Sequence, residues 1–196
     1  MNPQNAERRW KIIESYIPVG CCGAELGVFK GHLSAYFLNK NPKKLYLVDP
    51  WYRMTSHWSW VKGEDASTLN ALRQVLDNFE GEINTGTVVP VIDFSFNFLK
   101  TLEPKSLDFI YLDTSHNYEN TLNEIEAASL ALKDDGLLLG DDWHYDEHHR
   151  HFGVTKAVTQ FIENGRCEML FQPKGMQWGV KFNSDSLAKK KKWWFW

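Results

Sequence analysis

The chain has 196 residues, of which 43% are hydrophobic and 24% are charged, and its formal net charge is −3. This composition fits a single globular domain and argues against a disordered chain. A mildly acidic chain also disfavours a nucleic-acid partner, which selects a basic face. No run of about 18 apolar residues and no apolar N-terminal stretch occurs, so we expect no transmembrane helix and no secretion signal.

The three cysteines are Cys21, Cys22 and Cys167. Two of them are adjacent and no Cys-x-x-Cys motif occurs, so neither a disulfide framework nor a zinc knuckle is indicated. A reducing, cytoplasmic location fits this pattern best. We expect one domain over residues 1–186, followed by a Lys- and Trp-rich tail over 187–196. The tail is either a frayed or tucked end or an anchor at a membrane surface, and its short length favours the former.

Strands and helices alternate along the chain. A first helix has Trp10, Ile13 and Ile17 on one face and ends at Pro18. Apolar runs then predict strands at 21–26, 44–49, 87–92, 107–112 and 137–140, and helical periodicity predicts helices after Gly31 and over 69–79, 96–102, 118–132 and 154–162. Residues 51–63 and 143–152 have no clear period and are predicted to be irregular loops.

This alternation predicts an α/β fold with a doubly wound, mostly parallel sheet and helices on both of its faces. The segments 167–171 and 178–182 flank Pro173-Lys174-Gly175 and are expected to pair as an antiparallel C-terminal hairpin. Five strands and a hairpin give a seven-stranded sheet.

The stretch GAELGVFKGHLS at 23–34 follows the first strand and contains the pattern Glu-x-Gly-x-x-x-Gly. Gly27 lets the backbone approach a ligand closely, and Gly31 opens a helix whose N–H groups attract an anion. Asp49 ends the second strand, and its carboxylate can accept both hydroxyls of a ribose. The spacing differs from the Gly-x-Gly-x-x-Gly dinucleotide fingerprint. The pattern therefore favours a mononucleoside ligand without phosphates.

Together with LYLVDPW, LDFIYLDTSHNYE and LLLGDDW, this stretch resembles the motifs of class I S-adenosylmethionine-dependent methyltransferases. The nearest group is the small bacterial branch similar to the metal-dependent macrolide-sugar O-methyltransferases. The resemblance covers about residues 21–182 and implies a Rossmann-like methyltransferase fold with S-adenosylmethionine as cofactor.

The resemblance also implies how the cofactor is bound. Glu25, Gly27 and Gly31 would line its methionine end, and Asp49 would hold its ribose. The residues expected to complete the cofactor site are Asp93, Phe94 and Ser95, which would border the adenine, and Asp113. Asp93 stands where relatives often carry glycine, which is a departure from the pattern.

Three carboxylates, those of Asp113, Asp141 and Asp142, follow the fourth and fifth strands. If they converge they repel one another unless a cation lies between them, and all-oxygen ligation favours Mg²⁺. His116 lies three residues after Asp113 and is the candidate general base. The alternative is structural, since an acidic pair at a strand end can cap the next turn. The family resemblance implies the same metal and base positions.

Histidines recur in the loop after the fifth strand. Their spacing fits no standard metal cluster, and the charged neighbours Asp146, Glu147 and Arg150 predict a solvated loop. These histidines are His144, His148, His149 and His151. Aromatic residues on or beside the two irregular loops are candidates either for the core or for the wall of an acceptor pocket, and they are Trp51, Trp58, Trp60, Tyr118 and Trp143.

The resulting expectation is a Mg²⁺-dependent O-methyltransferase that acts on a hydroxyl of a small molecule, such as a sugar or a glycosylated metabolite. One alternative is a metal-independent O- or N-methyltransferase that uses His116 alone. Two others are a protein resembling a nonheme iron hydroxylase on the same scaffold and a binding module without turnover. A homo-oligomer is compatible with the sequence, which does not decide the oligomeric state.

Overall fold

The computed structural model describes residues 2–183. The predicted Lys- and Trp-rich tail lies outside the described residues. Within residues 2–183, no helix combines the length and apolar character needed to cross a membrane. The three cysteines are free thiols.

Residues 2–183 form seven strands and seven α-helices. The strands are β1 Cys22–Leu26, β2 Lys44–Val48, β3 Val88–Val91, β4 Leu107–Leu112, β5 Leu132–Gly140, β6 Cys167–Met169 and β7 Trp178–Phe182. The helices are α1 Pro3–Ile13, α2 Ser34–Phe37, α3 Thr68–Asn78, α4 Glu80–Asn84, α5 Ser95–Leu99, α6 Tyr118–Ala131 and α7 Phe152–Glu163.

The strands form one sheet in the order β3-β2-β1-β4-β5-β7-β6. The first five strands are parallel, and β7 runs antiparallel to both β5 and β6. The predicted doubly wound sheet with an antiparallel C-terminal hairpin is therefore confirmed. The strand order reverses between β1 and β4, which is where such sheets bind ligands, beyond the carboxyl ends of the strands.

Two apolar clusters cover the two faces of the sheet. One contains side chains of α5, α6 and α7, and the other contains side chains of α1, α2 and α3. Side chains along β4 alternate between the two clusters. Phe109 and Tyr111 pack into one, and Ile110 and Leu112 pack into the other. The central strands are therefore apolar on both faces, and polar side chains collect at their ends.

Some element boundaries differ from the prediction. The fifth strand, predicted over 137–140, begins at Leu132 and includes Asp134-Asp135-Gly136, with a register shift opposite Leu107 and Phe109. The predicted loop at 51–63 contains a 3₁₀ turn at Trp51–Arg53, and a second 3₁₀ turn follows at Gly63–Ala66. The helix predicted over 69–79 is followed directly by the short helix α4, which contains Gly81. In the first case pairing with β4 outweighs the turn preference of Asp-Asp-Gly.

Gly27 marks the closest approach of β1 to β4 at the reversal point. Its φ is +89°, and a Cβ there would lie 1.8 Å from the carbonyl oxygen of Asp113. A side chain at this position would have to displace backbone rather than a flexible neighbour. The turn after β1 therefore requires glycine for space as well as for its dihedral angle.

We predict that Gly27→Ala destabilises the protein by roughly 3 kcal/mol or more, because the clash forces the end of β1 away from β4. Gly20→Ala is the matched control, since Gly20 also has a positive φ of +69° but no atom lies within 4 Å of its added Cβ. The control should lose only about 1 kcal/mol. Denaturant unfolding of both variants measures the difference, and equal losses would show that the close approach costs nothing.

Candidate active site

Acidic side chains gather at the carboxyl ends of the parallel strands, on both sides of the reversal point. Glu25 lies in β1, Asp49 follows β2, Asp113 follows β4, and Asp141 and Asp142 follow β5. Four of these side chains are buried, and Asp113 is partly buried. The structure thus brings together the carboxylates that the sequence placed at strand ends.

Glu25 is buried beneath the turn that follows β1, with 1% of its surface exposed. Its carboxylate accepts a hydrogen bond from the hydroxyl of Ser34, the first residue of α2. Burial raises the pKa of Glu25 to about 8, although the Ser34 hydroxyl opposes this. The side chain thus resists ionisation at neutral pH.

Asp49 organises the glycine-containing turn after β1. Its Oδ2 accepts the N–H groups of Val28 and Phe29, both at 3.0 Å, and its Oδ1 accepts the N–H of Trp51 at 2.8 Å. Burial raises the pKa of Asp49, while these three donors lower it. Since a carboxylate has about four acceptor sites, the backbone uses three and leaves one for a further donor.

The end of β3 is more exposed. Asp93 accepts hydrogen bonds from Asn97 and from the N–H of Phe94, and it pairs with Arg53. The hydrogen bond from Asn97 is the largest cause of the lowered pKa of Asp93. Phe94 is largely exposed, so its ring is free to meet a ligand.

Ser95 links the end of β3 to α6, because its hydroxyl hydrogen-bonds Glu124. Glu124 is buried and also accepts the hydroxyl of Thr114 at 2.7 Å. Burial raises the pKa of Glu124, and both hydroxyls oppose that effect. This buried acid ties two strand ends together, and the sequence reasoning missed it because its position in α6 carries no motif.

Asp113 and Asp141 both form ion pairs with the guanidinium group of Arg9. Nη1 of Arg9 in α1 lies 2.6 Å from Oδ2 of Asp113, and Nη2 of Arg9 contacts Oδ2 of Asp141. Burial would lower the pKa of Arg9, but the negative charges around it outweigh burial and raise it. The guanidinium is therefore a permanent positive charge between the two strand ends.

Asp141 is held by the C-terminal hairpin as well. Its Oδ1 accepts a hydrogen bond from the amide of Gln177, and its carbonyl oxygen accepts the indole N–H of Trp178 at 2.7 Å. Its Oδ2 is buried, lies against Arg9 and makes no hydrogen bond. Burial and the charge of Asp113 raise the pKa of Asp141 to about 7.

His116 lies between two of the aspartates. Its Nε2 is 3.1 Å from Oδ1 of Asp113 and 2.9 Å from Oδ2 of Asp142. Asn117 caps α6 by accepting the N–H of Asn120 at 2.9 Å, and this fixes the turn that carries the histidine. Burial would lower the pKa of His116, but the hydrogen bonds to both aspartates outweigh it and raise the pKa to about 10.

The prediction of a solvated histidine loop is wrong for three of its four members. His144, His149 and His151 are partly buried, and only His148 is exposed. Nδ1 of His151 lies 2.9 Å from Oδ1 of Asp142. The loop folds back because α7 begins directly after His151, which turns the imidazoles towards the end of β5. No spacing rule on the sequence shows this reversal.

The aromatic residues divide between core and surface. Trp51 is fully buried, and its indole N–H donates to the carbonyl oxygen of Phe29 at 3.0 Å, so it belongs to the core. Trp58 and Trp60 both contact the ring of Phe29 with centroids 4.9 Å away. Trp60 is 57% exposed. Tyr118 packs against α7 through a hydrogen bond to Gln160.

Arg9 and Gln177 are the two site residues that sequence reasoning missed most clearly. Arg9 is 104 residues from its partner Asp113 along the chain, and Gln177 is 36 residues from Asp141. Arg9 lies next to Trp10, on the apolar face from which α1 was predicted. This position was the only feature of the sequence that could have indicated a role for Arg9. A cation beside an apolar stripe ordinarily lies in solvent, so the signal was too common to use.

Comparisons with known proteins identify the class. Residues 24–143, more than half of the chain, match the family described as a methyltransferase domain. The fold and this match define a class I S-adenosylmethionine-dependent methyltransferase. The chain belongs to that methyltransferase-domain family. Among curated proteins, none matches the sequence significantly.

Solved structures show the same fold at low identity. Fibrillarin from Aeropyrum pernix, solved with natively bound S-adenosyl-L-methionine, is 14% identical over 90% of this chain and 73% of its own, with a TM-score of 0.60. A Staphylococcus aureus protein provisionally assigned as a caffeoyl-CoA O-methyltransferase is 13% identical over 93% and 84%, with a TM-score of 0.62. A Clostridium thermocellum protein provisionally assigned as an rRNA methylase is 10% identical over 92% and 96%, with a TM-score of 0.64. At these identities the likeness concerns the fold alone.

We predict that Glu25→Gln changes the pH dependence of stability. The folded pKa of about 8 lies above the ordinary glutamate value of 4.5, so the folded state holds this proton more tightly than the unfolded state. The stabilisation is fully present below about pH 4.5 and is lost as pH rises through 8, at about 1.4 kcal/mol per pH unit.

The free energy of unfolding of wild type should therefore fall relative to that of Glu25→Gln between pH 5 and pH 8. Denaturant titrations at several pH values measure this difference, and Glu103→Gln, which alters an exposed glutamate, is the control that should track wild type. A wild-type-to-variant difference that stays constant over this range would contradict the prediction.

Proposed function

We propose that the protein is an O-methyltransferase that moves the methyl group of S-adenosylmethionine to a hydroxyl of a small molecule. The observation that carries the proposal is the position of His116, a partly exposed imidazole between Asp113 and Asp142 at the rim that follows β4 and β5. A hydroxyl is a weak nucleophile until a base removes its proton. A histidine held in place at this rim is suited to that task.

The residues proposed for the cofactor lie around the reversal point. Glu25, Gly27 and Gly31 would surround its methionine end, and Asp49 would receive a ribose hydroxyl at its remaining acceptor site. Asp93, Phe94 and Ser95 would border the adenine, with Asp113 beside the methyl group. The acceptor site that Asp49 keeps after binding three backbone N–H groups supports this placement. S-adenosylmethionine supplies a methyl group on a sulfonium, and its thioether leaves without needing a proton.

In the proposed reaction, the acceptor oxygen forms a bond to the methyl carbon as the carbon–sulfur bond breaks. Nε2 of His116 takes the hydroxyl proton. Asp113 and Asp142 orient the ring, and they also hold a proton on Nε2 because both carboxylates are negative. The base role therefore needs a further positive charge on these aspartates, which releases the imidazole for proton transfer.

A Mg²⁺ ion is proposed as that charge. One oxygen each from Asp113, Asp141 and Asp142 lies within 4.8 Å of the others. The all-carboxylate donor set fits Mg²⁺, and the ion would take over the contact that Oδ2 of Asp141 makes with Arg9. The ion would supply a Lewis acid that lowers the pKa of the acceptor hydroxyl. The proposed reaction is then similar to that of the metal-dependent macrolide-sugar O-methyltransferases.

Arg9 favours a second candidate, a metal-independent methyltransferase. Its guanidinium already neutralises part of the charge of Asp113 and Asp141. In this case His116 acts as base without a metal ion, and Arg9 orients the carboxylates. Chelation distinguishes the two candidates, because only the first loses activity.

The acceptor is proposed to be a small molecule with an apolar or sugar face. Phe29, in the turn after β1, packs against Trp58 and Trp60, which lie in the segment after β2. The indole of Trp60 is exposed. Lys30 pairs with Asp65 and ties the segment carrying these rings to that turn. Stacking on an exposed indole suits a sugar or an aromatic ring. The formal net charge of −3 supports a small molecule over a nucleic acid.

We predict that His116→Gln lowers kcat by about 10²- to 10⁴-fold, which is the usual contribution of a general base. Transfer of a labelled methyl group from S-adenosylmethionine to a panel of hydroxyl acceptors measures activity, and calorimetry should show unchanged cofactor affinity. His148→Gln is the control, since this histidine lies in the loop after β5 and is exposed. Equal activity of both variants would remove His116 from the mechanism.

We predict that EDTA abolishes methyl transfer and that Mg²⁺ restores it. The double variant Asp141→Asn, Asp142→Asn should lose turnover in Mg²⁺ yet keep cofactor affinity, because neither residue is among those proposed to hold the cofactor. The same assay is applied to Arg9→Met. Activity that survives EDTA in wild type but falls in Arg9→Met would overturn the magnesium proposal and establish the metal-independent candidate.

A further inference from the structure

We infer that His116, Asp142 and His151 form a binding site for a divalent transition-metal ion, with a ligand set distinct from the three aspartates proposed for Mg²⁺. One ligand atom from each residue lies within 4.8 Å of the other two. Nε2 of His116 is 2.9 Å from Oδ2 of Asp142, and Nδ1 of His151 is 2.9 Å from Oδ1 of the same carboxylate. The two imidazoles therefore flank one carboxylate, each facing one of its oxygens.

The ligand types select the class of ion. Imidazoles favour Zn²⁺, Fe²⁺, Ni²⁺ and Cu²⁺, whereas Mg²⁺ prefers oxygen ligands and retains its water. Two histidines and one carboxylate on one side of an ion leave the remaining coordination positions open. The site would therefore take a borderline transition-metal ion with room for water or an acceptor oxygen.

Two imidazole nitrogen atoms near Asp142 lack well-directed hydrogen-bond partners within the protein. Nε2 of His116 faces Asp113 and Asp142 together, although a single N–H cannot point well at both. Nε2 of His144 is buried without any hydrogen-bond partner. It lies 3.6 Å from Oδ1 of Asp142, which is too long for a hydrogen bond.

His144 and His149 form a second group with His151, in which one ligand atom from each residue lies within 4.8 Å of the others, but the stacking of two of these rings disfavours that group as a metal site. The rings of His144 and His149 stack with centroids 3.5 Å apart and an interplanar angle of 21°. Nearly parallel rings direct their lone pairs side by side and do not converge on one ion. Nδ1 of His149 also accepts the N–H of His151 at 3.1 Å. His149 supports the position of its neighbours.

Asp142 belongs both to this site and to the site proposed for Mg²⁺, and Arg9 marks the difference between the two. Its guanidinium contacts Asp113 and Asp141. The imidazoles of His116 and His151 contact Asp142, and that of His116 also contacts Asp113. The positive charge of the protein is thus divided, with the guanidinium at one end of the acidic group and the metal-binding nitrogens at the other.

The test is direct metal binding by the full chain after stripping with EDTA. Calorimetry with Zn²⁺ in a non-coordinating buffer containing millimolar Mg²⁺ should show one ion bound with micromolar or tighter affinity. His151→Gln should weaken Zn²⁺ binding by at least 10-fold, whereas the exposed-histidine control His148→Gln should bind as wild type does. No Zn²⁺ binding, or equal binding by wild type and His151→Gln, would overturn the inference.

Spectroscopy of the wild-type protein guards against misfolding of a variant. Co²⁺ added to the stripped chain should give visible d–d bands typical of nitrogen and oxygen ligands, and Zn²⁺ should displace them while Mg²⁺ should not. His144→Gln, which leaves the three proposed ligands in place, should retain these bands. Displacement of the bands by millimolar Mg²⁺ would assign the ion to the three aspartates instead and would refute the histidine site.

The consequence for catalysis rests on the proposed function. An ion bound to Nε2 of His116 occupies the atom proposed as the base, so Zn²⁺ should inhibit methyl transfer in wild type. Zn²⁺ binding without inhibition would leave the metal site established and remove His116 from the base role. Failure of Zn²⁺ to bind would remove the site and leave the methyl-transfer proposal intact.

Discussion

The concentration of negative charge at the ends of β4 and β5 is the constraint on which the rest of this structure depends. Asp113, Asp141 and Asp142 lie together in a largely buried region, where an unpaired charge costs several kcal/mol. The chain offsets this with Arg9 at one end and with imidazoles around Asp142 at the other. Elements far apart in the sequence must therefore assemble before these carboxylates can be buried together.

The C-terminal hairpin is one of those elements. Gln177 and Trp178 hold Asp141 through its side chain and its carbonyl oxygen, and Gln177 also accepts the hydroxyl of Tyr111 at 2.7 Å. A buried acid with a raised pKa keeps its position only while its donors stay in place. The antiparallel edge of the sheet thus supports the site as well as covering the end of the parallel strands.

The opposite side of the site depends on a close backbone contact. Gly27 meets the carbonyl oxygen of Asp113 where the strand order reverses, and Asp49 holds the following turn through three N–H groups. Family membership establishes the methyl donor as S-adenosylmethionine. In the proposed function, the acceptor and the cation are selected by three other segments. These are α1, the aromatic segment after β2 and the histidine loop after β5.

The sequence by itself determined the sheet, its strand ends and its class. Apolar runs at regular intervals define parallel strands, and in such a sheet the carboxyl ends meet at one edge, so Asp49, Asp113 and Asp141 could be grouped before any coordinates. Hydrophobic periodicity is a local signal that can be read from the sequence alone. The start of β5 was predicted wrongly, because its pairing with β4 outweighs the local turn preference of Asp-Asp-Gly.

Only the tertiary structure decided which charges meet these acids. Arg9 and Gln177 reach Asp141 from opposite ends of the chain, and the loop reversal before α7 turns His144 and His151 inward against the prediction of a solvated loop. Side-chain direction and long-range pairing depend on packing between distant elements, and no spacing along the sequence encodes either. Charge complementarity at a buried site is therefore a property of the folded protein, because neither partner has a distinguishing sequence signal and the pair forms only through tertiary packing.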